Sequence, residues 1–131
     1  MLYAETGEGL MSKGVVVVVV DDEPDLRAVL CEVLEDDGYD VISLSHPVRA
    51  LQLEADPQPT VFLLDLMLPE MSGIELAKKI REGKFKSASI IAISASSVML
   101  RLARDSGLFQ TTIQKPFDID DLLGSVRNFA A

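Results

Sequence analysis

The chain has no tryptophan, one cysteine and one histidine among its 131 residues, and basic side chains are scarce beside acidic ones. With Cys31 alone, an internal disulfide is impossible and a reducing cytoplasm fits. The lone His46, set before Pro47, has no second ligand to share a metal with and reads as a solvated loop residue. Twelve Lys and Arg against 21 Asp and Glu give a net charge of −9. A chain this acidic repels nucleic acid and anionic membranes, so no direct DNA binding is expected. Hydrophobic residues reach 48 %, yet no apolar run approaches the ~20 residues that cross a bilayer, which excludes a spanning helix. Met1 to Gly14 is acidic and lacks the apolar core of a signal peptide.

What the chain does contain is regular alternation. Val15 to Val20 is an unbroken β-branched run, the mark of a strand buried on both faces. Pro24 and Asp25 open a helix with Leu26, Val29, Leu30, Val33 and Leu34 on one stripe. Asp36-Asp37-Gly38 closes it, Gly38 serving as a left-handed cap. A second strand spans 40–44. Ser45 is the expected N-cap of a short helix to about Glu54, with Pro47 in its first turn. The prolines of 55–59 mark a turn. A third strand, 60–64, ends on Asp65, and a helix from Gly73 to about Glu82 is expected to bury Ile74, Ala77 and Ile80. The fourth strand runs over 89–93, and its helix stops at Gly107. The fifth covers 111–114, and Asp118 or Asp120 caps the last helix. Five strand–helix alternations with short links predict an α/β, doubly wound (βα)5 three-layer sandwich around a five-stranded parallel sheet. Residues 14–131 form the single domain; 1–13 read as a flexible leader or a cloning remnant.

In an open parallel sheet the ligand site lies beyond the carboxyl ends of the strands. Asp21 and Asp22 follow the first strand and Asp65 ends the third, so three carboxylates are expected to meet at one edge. Crowded carboxylates repel, and a hard cation relieves them. Mg²⁺ prefers one or two carboxylates plus waters and phosphate oxygens. Ser94 ends the fourth strand and Lys115 the fifth. Three minus charges less one plus leave two minus, the charge that one Mg²⁺ neutralises. A hydroxyl and an ammonium beside a carboxylate and a metal suit phosphoryl transfer.

These residues resemble the receiver domain of two-component response regulators over about Val15 to Phe129. The matching words are Asp21-Asp22-Glu23-Pro24, then Asp65, Pro69 and Gly73 in the spacing D-x-x-x-P-x-x-x-G, then Ser94-Ala95 and Lys115-Pro116-Phe117. The resemblance implies a flavodoxin-like fold and a signalling role without turnover of a separate substrate. Asp65 would accept a phosphoryl group from the phosphohistidine of a sensor histidine kinase or a phosphotransfer protein. Asp22, Asp65 and the backbone carbonyl of Met67 would hold Mg²⁺, with Asp21 assisting through water. Ser94, the Ala95 backbone and Lys115 would bind the phosphoryl oxygens, and the Lys115-Pro116 bond would be cis. An unknown downstream protein would dock on the fourth helix, fifth strand and fifth helix, with a homodimer left open. One departure stands out: the aromatic residue usual three positions before the lysine is Thr112, and Phe109 lies too early to replace it.

Two other function classes are weighed. A haloacid-dehalogenase-type phosphohydrolase needs an acid two residues after its nucleophile, where this chain has Met67. A phosphorylation-independent interaction module usually loses an acid or the lysine, and none is lost. For single residues, simpler readings apply: Ser94 could be only a helix cap, Leu68 core, and Cys31 packing. Val98 or Met99 is the expected docking patch of the helix after Ser94, since its apolar residues cover more than one face.

Overall fold

All five valines of β1 (Val16–Val20) are buried, and side chains of a strand alternate between its two faces. That alternation organises the computed structural model, which describes residues 14–130 except Ala55. The leader expected over residues 1–13 lies outside the described residues. After β1 come α1 (Pro24–Asp36), β2 (Asp40–Leu44), α2 (Pro47–Leu51), β3 (Pro59–Asp65), α3 (Gly73–Glu82), β4 (Ser89–Ser94), α4 (Ser97–Ser106), β5 (Thr111–Gln114) and α5 (Ile119–Phe129). The sheet is parallel throughout, in the order β2-β1-β3-β4-β5. Val16, Val18 and Val20 pack with Phe62 and Leu64 against Ala50, Leu76, Ala77 and Ile80 of α2 and α3. Val17 and Val19 face the other way, with Val61, Leu63, Ile91 and Ile93, onto Leu30 and Leu34 of α1 and Leu122 and Val126 of α5. Each of the larger side chains so buried, Val, Leu, Ile or Phe, contributes about 1.5 to 3 kcal/mol. Two apolar layers on one sheet make the three-layer sandwich, as expected.

Several local expectations shift. Pro47 sits at the first helical position of α2, so the N-cap is His46 in an extended conformation (φ −129°, ψ 138°), not Ser45. The helix stops at Leu51 rather than near Glu54. Leu51 and Leu53 both pack on the core, and residues two apart cannot share one helix face. In α1, Val29 is 44 % exposed, leaving Leu30 and Leu34 as the deep pair. In α3 the buried set is Gly73, Leu76, Ala77 and Ile80, so Leu76 takes the depth expected of Ile74. The remaining boundaries agree within a residue or so. Gly38 (φ 96°) and Gly107 (φ 73°) both take the left-handed conformation at helix ends.

The chain passes from β1 outward to β2, then returns to place β3 on the other side of β1. This reversal opens a crevice beyond the carboxyl ends of β1 and β3.

Candidate functional site

The strand registers bring the chemistry-bearing residues to one rim. Val20 pairs with Leu64, Asp65 with Ile93, and Ser94 with Gln114, so Asp21, Asp65, Ser94 and Lys115 follow in line. Asp21, Asp65 and Ser94 are also the buried polar residues among those described. Backbone bonds fix the rim: Asp21 N–H donates to Leu44 O at 3.1 Å, Leu66 N–H to Ile93 O at 3.0 Å, and Lys115 N–H to Ser94 O at 2.9 Å. The Lys115-Pro116 peptide is cis, as expected; a second cis bond, Asp56-Pro57, lies in the turn before β3.

One oxygen from each of Asp21, Asp22 and Asp65 lies within 4.8 Å of the others. Oxygens around an octahedral Mg²⁺ at 2.0–2.1 Å lie about 2.9 to 4.2 Å apart, so a slight rotation closes the set on such an ion. The donor chemistry, three carboxylates and no imidazole or thiolate, matches a hard cation. Burial pushes the Asp21 carboxyl above its ordinary range, and the Asp65 charge adds to this against the Glu23 N–H bond and Lys115. A cation beside Asp21 relieves that penalty.

Lys115 Nζ donates to Asp65 Oδ2 at 3.0 Å and lies 3.6 Å from Asp21 Oδ2. Burial lowers its pKa, but bonds to Glu23 and Asp65 and the charges of Asp65 and Asp21 outweigh burial and hold it above the ordinary lysine value. The other Asp65 oxygen, Oδ1, accepts from Met67 N–H at 2.9 Å. Ser94 is not the cap of α4. That role belongs to Ser96, whose Oγ accepts from Met99 N–H at 3.1 Å, while Ser94 Oγ accepts from Ser96 N–H at 3.0 Å. Ala95 is exposed beside it. An open groove of about 640 Å³, lined by Asp22, Met67, Pro69 and Met99 among others, borders the acids.

Gly73 has a specific reason to be glycine. A Cβ there would lie 2.5 Å from the Asp65 carbonyl oxygen and 2.8 Å from Leu66 Cα. The first residue of α3 therefore rests on the backbone that carries Asp65, and Gly73 N–H donates to Leu66 O at 3.0 Å.

Farther from the acids, Thr112 is half-buried and its Oγ1 accepts from Arg104 Nη1 at 3.1 Å. Val98 is 68 % exposed, as expected of a docking patch, but Met99 packs half-buried near Leu66 and Ala92; the second exposed apolar residue of α4 is Leu102. Leu68 packs partly buried on the core, and Cys31 is half-buried. Two contacts escape sequence reasoning: Glu23 Oε1 accepts from Lys115 Nζ at 2.9 Å, and Arg27 Nη1 donates to the Asp21 carbonyl at 2.7 Å. Their only signal is that both residues open α1 next to the acidic doublet.

The family model of the response regulator receiver domain matches residues 17–127. The chain belongs to that family. It is 29 % identical over 114 residues to sporulation initiation phosphotransferase F of Bacillus subtilis, covering 86 % of this chain and 91 % of that protein. It is 38 % identical to the transcriptional regulatory protein KdpE of Mycobacterium tuberculosis, over 85 % of this chain but 49 % of that protein. The receiver thus spans about half the length of such regulators. Among solved structures, the response regulator TrrA of Thermotoga maritima, in complex with Mg²⁺-BeF, superposes with a TM-score of 0.78 at 32 % identity, over 88 % of this chain and 98 % of that one. Among the described residues, no helix is long and apolar enough to cross a membrane.

Proposed function

We propose that this receiver takes a phosphoryl group from the phosphohistidine of a sensor histidine kinase or phosphotransfer protein onto Asp65. The observation that carries this reading is the convergence of Lys115 Nζ, 3.0 Å from Asp65, with three carboxylates clustered within 4.8 Å. An Asp65 oxygen attacks phosphorus and the bond from phosphorus to the donor's imidazole nitrogen breaks; with a proton already on the ring's other nitrogen, the donor leaves as neutral imidazole and an acyl phosphate is formed. Asp22, Asp65 and the Met67 carbonyl would hold Mg²⁺, with Asp21 assisting through water, a reading that the Mg²⁺-BeF complex of the similar Thermotoga protein supports. That ion, when bound, would neutralise charge on the transferring oxygens.

The chain's own groups do the remaining work. Met67 N–H orients the carboxylate through Oδ1. Lys115 passes from the Asp65 oxygen to a phosphoryl oxygen. Ser94 Oγ, now accepting from Ser96 N–H, keeps its own proton to donate to the phosphoryl group, with the Ala95 N–H beside it. Turning Ser94 draws the 94–96 loop and the start of α4 along, so the added charge biases two arrangements of the α4–β5–α5 face. A downstream protein reads that face, in the cytoplasm, and the acidic domain itself makes no DNA contact.

Incubation with acetyl phosphate and Mg²⁺, followed by intact mass, tests the reading. One added phosphoryl group is expected, not formed when the metal is chelated beforehand and absent in Asp65→Asn. No addition in the unaltered protein, or addition that survives Asp65→Asn, sinks it.

A further inference from the structure

We propose that Glu23 is a positioning residue that holds the Lys115 ammonium before a phosphoryl group arrives and competes with that group for it. This rests on the phosphoryl-acceptor reading of Asp65. An ammonium has three N–H donors. Here they face Glu23 Oε1 at 2.9 Å, Asp65 Oδ2 at 3.0 Å and Asp21 Oδ2 at 3.6 Å. Two of the three donors are hydrogen-bonded to carboxylates and Asp21 stands at ion-pair distance, so an incoming oxygen meets an ammonium whose charge three carboxylates already share.

The three partners are not equally held. Asp21 and Asp65 are 2 % and 5 % exposed, while the Glu23 side chain is 62 % exposed. Glu23's backbone is fixed at the mouth of the site, its N–H donating to Asp21 Oδ1 at 2.8 Å and its carbonyl accepting from Arg27 N–H at 3.0 Å. As the residue before Pro24 it is the N-cap of α1, yet its side chain makes no capping bond. The carboxylate is thereby free to reach across to Lys115 and, being solvated, free to leave. As Lys115 turns from Asp65 to the phosphoryl group, the solvated Glu23 stays within its reach, and an internal anion that competes for the lysine weakens the phosphoryl group's hold.

Calorimetric binding of beryllofluoride at saturating Mg²⁺ tests this on the full chain. Glu23→Gln removes the charge; Glu23→Asp keeps it on an arm one bond shorter. Both are expected to tighten beryllofluoride binding by about twofold to fivefold, the range an exposed ion pair supports. With acetyl phosphate, the gain should fall in the donor KM and leave the maximal rate unchanged. Glu35→Gln, about 18 Å farther along α1, removes the same charge and should change neither. Unaltered affinity in both Glu23 variants, a gain in Glu23→Gln alone, or an equal gain in Glu35→Gln overturns the proposal while leaving the phosphoacceptor reading intact. Failure of the unaltered protein to bind beryllofluoride at all overturns both.

Discussion

Two partly buried cations sit at opposite rims of the sheet, and they are bound in opposite ways. Lys115, beyond the carboxyl ends, faces three carboxylates. Arg81, near the end of α3 at the other rim, faces neutral acceptors: the Leu108 carbonyl at 3.1 and 2.9 Å, the carbonyls of Lys86 and Ala88 at 2.8 and 2.5 Å, and Gln110 Oε1 at 2.8 Å. Burial alone lowers the Arg81 pKa, whereas carboxylates raise that of Lys115 against burial. A planar fork with fixed donors suits a permanent clamp, and a compact ammonium on a flexible stem suits a group that must change partners. On the proposed reading, one rim is built to stay and the other to switch.

The largest expected effect comes from breaking the clamp. Arg81→Met strands several backbone carbonyls and should cost about 3 kcal/mol of stability, read as a lower urea midpoint. Phosphoryl uptake per folded molecule should be unchanged, because no Arg81 contact reaches the acids. Arg81→Lys should recover less than half, since one ammonium cannot span the acceptors that the guanidinium joins. A drop in uptake as large as the loss of stability would mean that the two rims are coupled.

The contrast also explains what could be read without coordinates. The switching rim is written in side chains at strand ends, Asp21, Asp22, Asp65, Ser94 and Lys115, and a strand's end is visible in its apolar run. The clamp is written in backbone carbonyls, which every residue has, reached by a residue 27 positions earlier in the chain. No letter pattern marks that. The same limit hid Arg27, whose partner is the Asp21 carbonyl, and Glu23, whose reach to Lys115 crosses 92 positions. Helix rotation was the other loss. Exchanging Leu76 for Ile74 as the buried residue of α3 is a turn of the helix that periodicity tolerates and packing does not.

α3 joins the two rims, with Gly73 against the Asp65 carbonyl and Arg81 in the clamp, so its first residue tests their independence directly. Gly73→Ala drives a Cβ into backbone at 2.5 and 2.8 Å, and neither neighbour is a side chain that can swing aside. Such overpacking should cost about 2 kcal/mol. Unlike Arg81→Met, it should also slow acetyl phosphate uptake, because the strained atoms carry the Asp65 carboxylate. Equal destabilisation with normal uptake would show that the start of α3 adjusts without disturbing the acid.

The smallest effect is a gain. The switching rim crowds acids for chemistry, and Asp21 bears part of the cost because burial and the Asp65 charge raise its pKa above the ordinary 3.8. A carboxyl with a raised folded pKa keeps its proton longer in the folded than in the unfolded chain, so stability falls as pH climbs past 3.8. Below that pH both states are protonated and the penalty vanishes. Asp21→Asn should therefore be more stable than the unaltered protein at pH 7 in metal-free buffer, its amide oxygen still accepting from Glu23 N–H, and should lose that advantage under acid conditions. Saturating Mg²⁺ should narrow or reverse the order at pH 7, because it stabilises the unaltered protein by mass action and the variant less. Urea midpoints at pH 7 and pH 3, with and without the metal, separate these outcomes. An advantage that persists unchanged at pH 3 would assign the gain to packing, and the switching rim would then carry no electrostatic strain for Mg²⁺ to relieve.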